Sequence, residues 1–136
     1  MSTVADMPPA VFAFEVWVKD SPEVRSTINE RTSSRARSEY LAGVRDILPD
    51  IEYVDLRCRK VGPPHTTEGF IRNAKYRGFP NVVCGQRVRV GEDTGVIVGY
   101  FCCCNFEVLF DGDSPKYADQ RLNVHPSDVV LLEQES

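Results

Sequence analysis

No apolar run in this 136-residue chain approaches the length needed to cross a bilayer, so no membrane association is expected. The opening "MSTVADMPPAVFAFEV" has no basic segment ahead of its apolar part and carries Asp6, so it reads as a poor signal peptide. Five cysteines is an odd number, and Cys102, Cys103 and Cys104 are adjacent, which makes a poor disulfide framework. A reducing cytoplasm suits such a chain; a virion is the other location reached without a leader. No P-loop, G-x-G-x-x-G, G-x-S-x-G or H-E-x-x-H occurs, so enzyme chemistry has no visible seat, and no catalytic residue or cofactor is assigned. Internal repeats and low-complexity tracts are absent too. What is present is ordinary for a globular protein: 42% hydrophobic and 26% charged residues, too apolar for a disordered chain. The length allows one domain or two very small ones, each near the lower limit for folding alone and therefore expected to pack together.

The net charge of −4 is unevenly spread. Residues 1–56 carry 6 basic and 10 acidic side chains. Residues 57–89 carry 8 basic ones (Arg57, Arg59, Lys60, Arg72, Lys75, Arg77, Arg87 and Arg89) against Glu68 alone. Residues 90–136 hold 2 basic and 9 acidic. Such asymmetry points either to an anionic partner for the middle segment or to its neutralisation within the fold by the acidic C-terminal part.

Residues 1–10, with Pro8-Pro9, read as a loose arm. Val11 to Lys19 reads as a strand with apolar residues on both faces, hence central in its sheet. Ser21 and Pro22 signal a helix start, and the stretch to Leu48 reads as two helices, with Thr32 or Ser33 capping the second. Ala36, Tyr40, Leu41, Val44, Ile47 and Leu48 share its apolar face, and Pro49 ends it. Ile51 to Val61 alternates as a strand with a bulge near Tyr53, placing Arg57 and Arg59 on the solvent side. Residues 1–62 thus form a β-α-β unit. After the rigid "GPPH", a short linker helix falls within 63–80: Thr66 or Thr67 caps it, Glu68 lies in its first turn, and Gly78 and Pro80 end it.

From Val82 the apolar period becomes two. "GQRVRV", "GVIVGY", "FEVLF" and "LNVHPSDVVLL" read as short strands with glycine at the turns and a proline-marked turn before the last strand. This order looks like an SH3-like small β-barrel spanning 81–136. The expected fold class is therefore α+β, a strand-helix-strand unit with a short helix, packed on the barrel. More narrowly, "YRGFPNVVCGQRV" and "RVRVGEDTGVIVGYFCCCNFEVLFDGDSPKYADQRLNVHPSD", about residues 76–128, resemble the C-terminal part of small, mostly uncharacterised proteins of tailed bacteriophages and prophages. The resemblance implies a phage origin, an accessory or virion role, and a place in the host bacterial cytoplasm or the virion. In that family small polar residues occupy the hairpin tip held here by the three cysteines.

Adjacent cysteines in an extended chain point to alternate faces, so Cys103 could not easily join Cys102 and Cys104 on one ion; Cys58, Cys84, His65 or His125 would have to complete a tetrahedral site. The triplet reads instead as a hairpin turn of small, semi-apolar residues, and no metal ligand is assigned. His125 reads as a turn cap. Asp111, Asp113, Asp119 and Asp128 lack EF-hand spacing and read as solvated loop residues. The leading expectation is a non-enzymatic protein that occupies a host or virion protein surface, as a host-takeover or anti-defence accessory. Its binding residues would be Arg57, Arg59, Lys60, Arg72, Lys75, Tyr76, Arg77, Arg87, Arg89, Tyr100 and Phe101. The alternatives are a nucleic-acid-binding module, with the basic side chains on phosphate and Tyr76, Tyr100 or Phe101 stacking on bases, and a virion structural or decoration protein.

Overall fold

A computed structural model describes residues 10–132, so most of the expected N-terminal arm lies outside the described residues. The chain divides into two compact units between His65 and Thr66, each with its own apolar core.

The first unit is a three-stranded antiparallel sheet with one helix. Strands β1 (Phe12–Val18), β2 (Ser21–Glu30) and β3 (Leu56–Gly62) run in the order β2-β1-β3. β1 is central, as its two apolar faces imply. Its Phe14, Val16 and Val18 pack with Leu56 of β3 and with Ala36, Tyr40 and Val44 of helix α1 (Ser33–Val44). Thr32 caps α1 by accepting a hydrogen bond from the Arg35 amide at 3.2 Å. Ile47, expected on the apolar face, lies past the helix end and is 74% exposed.

Residues 21–30 correct the expectation of a helix starting at Pro22. They form β2, which returns from a turn at Lys19-Asp20 and pairs Phe14 with Ile28 and Phe12 with Glu30. Val24 and Ile28 stand four apart, a spacing that serves a helix face and a strand face equally. An N-cap contributes about 1 kcal/mol. Leaving β1 without a partner would expose its whole backbone edge, and Val24 and Ile28 also pack on the β1–α1 core. Their branched side chains favour the strand as well. The unit is therefore not β-α-β: β3 pairs antiparallel with β1, and an extra strand precedes the helix. The irregularity expected as a bulge near Tyr53 is a 3-10 turn at Tyr53–Asp55, closed by Asp55 accepting from the Glu52 amide at 2.9 Å.

The second unit begins with helix α2 (Glu68–Tyr76) and continues with β4 (Arg87–Val90), β5 (Asp93–Tyr100), β6 (Phe106–Phe110), β7 (Arg121–Val124) and β8 (Val130–Leu131). The strands form one antiparallel sheet in the order β7-β6-β5-β4-β8. Alternation puts Phe106, Val108 and Phe110 on one face of β6, where they meet Val88, Ile97, Val124 and Val129. α2 closes this core with Phe70 and Ala74. Among the described residues no hydrogen-bonded pairing joins β7 to β8, so the ladder does not close into the expected barrel. Both end strands are short, four and two residues, which leaves little edge to pair.

Candidate functional site

The anticipated binding residues fall in both units. In the first, β3 carries Arg57, Arg59 and Lys60, all exposed; Arg57 and Arg59 stand opposite Leu56 and Cys58 as the alternation predicts, whereas Lys60 shares the Leu56 and Cys58 face and pairs with Phe14. Each has a local partner. Arg57 Nη1 donates to the carbonyls of Val54 (3.0 Å) and Leu56 (2.9 Å). Arg59 donates to Glu15 on the neighbouring β1, and this hydrogen bond is the largest cause holding the Glu15 carboxyl below its ordinary range. Lys60 Nζ lies 3.9 Å from the ring centre of Phe12, a cation–π contact.

In the second unit α2 organises the rest. Thr67 accepts from the Phe70 amide at 3.0 Å, Glu68 occupies the first turn and Lys75 the last, and Gly78 adopts φ 91° just beyond. Phe70, Asn73 and Ala74 face inward. Ile71, Arg72, Lys75 and Tyr76, at helical spacings of one, three and four, face solvent together. Ile71 is 46% and Tyr76 80% exposed. Arg72 and Lys75 have no ion pair or hydrogen bond among the described residues, and neither does Arg89, exposed on β4.

Three further candidates are committed to the fold. Arg87 grips Asp111 with both guanidinium nitrogens, Nη1 at 2.8 Å from Oδ1, while Thr94 Oγ1 donates to the same carboxylate at 2.7 Å. Asp111, 4% exposed, is thus not the solvated loop residue its turn-like Asp-Gly context suggests. Arg77 donates to the Cys104 carbonyl at 3.3 Å and reaches His125 Nε2 at 3.1 Å. His125 Nδ1 also lies 2.8 Å from Ser127 Oγ. The Ser127 amide donates to Nδ1 at 3.1 Å, so the His125 side chain caps the 3-10 turn. His125 does open the 3-10 turn Pro126–Asp128, as expected of a turn residue. Tyr100 packs edge-on against Phe70 (6.0 Å between ring centres, 73°) with its hydroxyl over Gly69. A Cβ at Gly69 would lie 2.4 Å from that oxygen. Phe101 is half-buried at the start of the β5–β6 loop.

Cys102 and Cys103 are exposed at that loop and Cys104, at φ 71°, is half-buried. The triplet forms the hairpin tip that the sequence implies, with the Phe101 amide donating to the Asn105 carbonyl at 3.0 Å. Among the described residues no three His, Cys, Asp or Glu side chains are grouped as metal ligands. No helix among them is long and apolar enough to cross a membrane.

Sequence reasoning missed Asp93 and Asn123. Asp93, 2% exposed, accepts the Tyr117 amide at 2.7 Å and so pins the 112–119 loop to the start of β5. Asn123 donates to Cys103 Sγ. An acid after a glycine turn and an asparagine in a short strand carry no local signal of either role. A groove of about 360 Å³ between α1 and β2, lined by Val24, Ile28, Tyr40, Val44 and Ile47, contains none of the anticipated residues. No family model, curated protein or solved structure matches the chain.

Proposed function

We propose that this is a non-enzymatic, phage-encoded binding protein that occupies the surface of a host or virion protein, acting as a host-takeover or anti-defence accessory. The carrying observation is the outward face of α2. Ile71, Arg72, Lys75 and Tyr76 form a contiguous patch with an apolar part, an aromatic and two uncommitted cations. Tyrosine and arginine beside an apolar side chain are the anchors that protein interfaces favour. The nucleic-acid reading is less favoured because Arg57, Arg59, Lys60, Arg77 and Arg87 already have partners within the chain. Support for the SH3-like reading of the second unit comes from its strand order. β4 to β7 form a meander, and a 3-10 turn brings β8 back beside β4. The phage reading rests on the resemblance of residues 76–128.

The test is affinity capture from phage-infected bacteria, run in parallel with the wild-type chain and an Arg72→Glu, Tyr76→Ala double variant. Both changes are on exposed positions, so folding should persist and circular dichroism should match. A protein retained by the wild type and lost by the variant is the expected result. A partner held equally by both would move the contact away from α2. Capture of nucleic acid alone would replace the proposal with the alternative reading.

A further inference from the structure

The outward face of α2 has a definite internal order. At about 100° per residue, Ile71, Lys75, Arg72 and Tyr76 follow one another around an arc of about 140°. Ile71 and Tyr76 therefore stand at the two borders, with the two cations between them. Phe70, Asn73 and Ala74 lie on the rest of the circumference and are buried. Arg77, at the helix end, turns away from the face and donates to the Cys104 carbonyl at 3.3 Å.

This order reverses the usual arrangement of a protein interface, in which apolar residues hold the centre and charges the rim. A partner that covers the face from Ile71 to Tyr76 must take Arg72 and Lys75 out of water. Neither cation has an ion pair or hydrogen bond among the described residues to compensate for that loss. The one acid on α2 is Glu68, in the first turn, and it pairs with neither. Covering two unpaired charges with a neutral surface is strongly unfavourable, so the missing anions have to come from the partner.

We propose, resting on the reading of α2 as the docking face, that the partner segment it takes is acidic. Two Asp or Glu carboxylates meet Arg72 and Lys75, and apolar side chains beside them contact Ile71 and Tyr76. Residues three apart on a helix have Cβ atoms about 5–6 Å apart, so the two carboxylates must be similarly close. Positions three or four apart on a partner helix, or two apart on a strand, satisfy this. Arg72 can grip its carboxylate with two nitrogens, while Lys75 acts as a point charge. Tyr76 has only two side-chain torsions to fix, so it anchors at low entropic cost. A phosphate backbone would also meet the cations, but it offers no apolar contact to Ile71, and two cations neutralise few phosphates.

The probe is a display library of random short peptides, selected on the immobilised full chain at low salt. Enriched peptides are then titrated by fluorescence anisotropy. The expected result is enrichment of sequences with two or more acids beside an aliphatic or aromatic residue. The Arg72→Glu, Lys75→Glu chain should bind them about tenfold more weakly, or worse, and should select basic peptides instead. If that chain fails to fold by circular dichroism, Arg72→Gln, Lys75→Gln takes its place; it should lose the acidic peptides without gaining basic ones. Enriched peptides that are neutral or basic, yet are lost on Tyr76→Ala, would overturn the acidic partner and leave α2 as the docking face. Acidic peptides held equally by the wild type and the α2 variants would overturn both, as would a selection that enriches nothing. A single-stranded or duplex oligonucleotide that displaces the enriched peptides at lower concentration than unlabelled peptide does would overturn the proposal in favour of nucleic acid.

Discussion

Arg87 and Asp111 show how a residue type suited to binding can be spent on folding. Asp111 has a side chain only 6% exposed, and Arg87 meets it in a two-pronged ion pair that bridges β4 to the end of β6. A buried carboxylate without its cation is more costly than a partly exposed guanidinium without its anion, because the arginine (26% exposed) can still reach water. Arg87→Met should therefore destabilise the protein by about 3 kcal/mol, the low end for breaking a buried pair, and more than Asp111→Asn. Urea unfolding followed by circular dichroism measures both. A loss below about 1 kcal/mol for Arg87→Met would mean that the pair behaves as a surface ion pair. Neither partner was legible beforehand: Arg87 stood among eight basic residues of the middle segment, and Asp111 stood in a turn signal. Their pairing depends on a register between strands 24 residues apart, which no local pattern encodes.

The strands of the second unit were readable because alternation, glycine turns and the Pro126 turn all agree locally. Ser21–Glu30 was not, because its Ser-Pro start mimics a helix N-terminus while its pairing with β1 is a tertiary fact. Gly95 in β5 lies between these cases. Its presence in a strand signals close approach of another backbone, but the sequence does not say of which one. The answer is β6: a Cβ at Gly95 would come within 2.6 Å of the Leu109 carbonyl oxygen and 3.0 Å of the Phe110 Cα. Both are backbone atoms of a paired strand and cannot swing aside as a side chain could. Gly95→Ala should therefore push β5 and β6 apart and destabilise the protein by about 1–3 kcal/mol, the range for overpacking a core. A thermal melt compares it with Gly43→Ala on α1, where the new Cβ meets nothing within 4 Å and helix propensity favours alanine. If both variants melt at the wild-type temperature, the β5–β6 approach is looser than these distances state.

The charge asymmetry along the chain suggested an anionic partner for residues 57–89, and the fold changes how that asymmetry is to be weighed. The segment is divided between two units at His65, so its eight positive charges do not form one continuous run on one element. Five of them engage Glu15, Asp111, backbone carbonyls, His125 or an aromatic ring. Of the eight, Arg72, Lys75 and Arg89 have no partner among the described residues, in a chain whose net charge is −4. Affinity for duplex DNA falls with salt at a slope of about −0.9 for each phosphate neutralised, so three cations support a slope no steeper than about −3. A protein making about 6–10 phosphate contacts loses roughly 10³–10⁵ in affinity between 50 and 200 mM salt. The expected outcome of a filter-binding titration at 50 and 200 mM salt is therefore weak DNA binding with a slope shallower than about −3, or none. A steeper slope would bring in cations beyond these three, either the internally paired arginines or exposed lysines such as Lys19. It would make the basic segment, rather than the α2 face, the working surface of the protein.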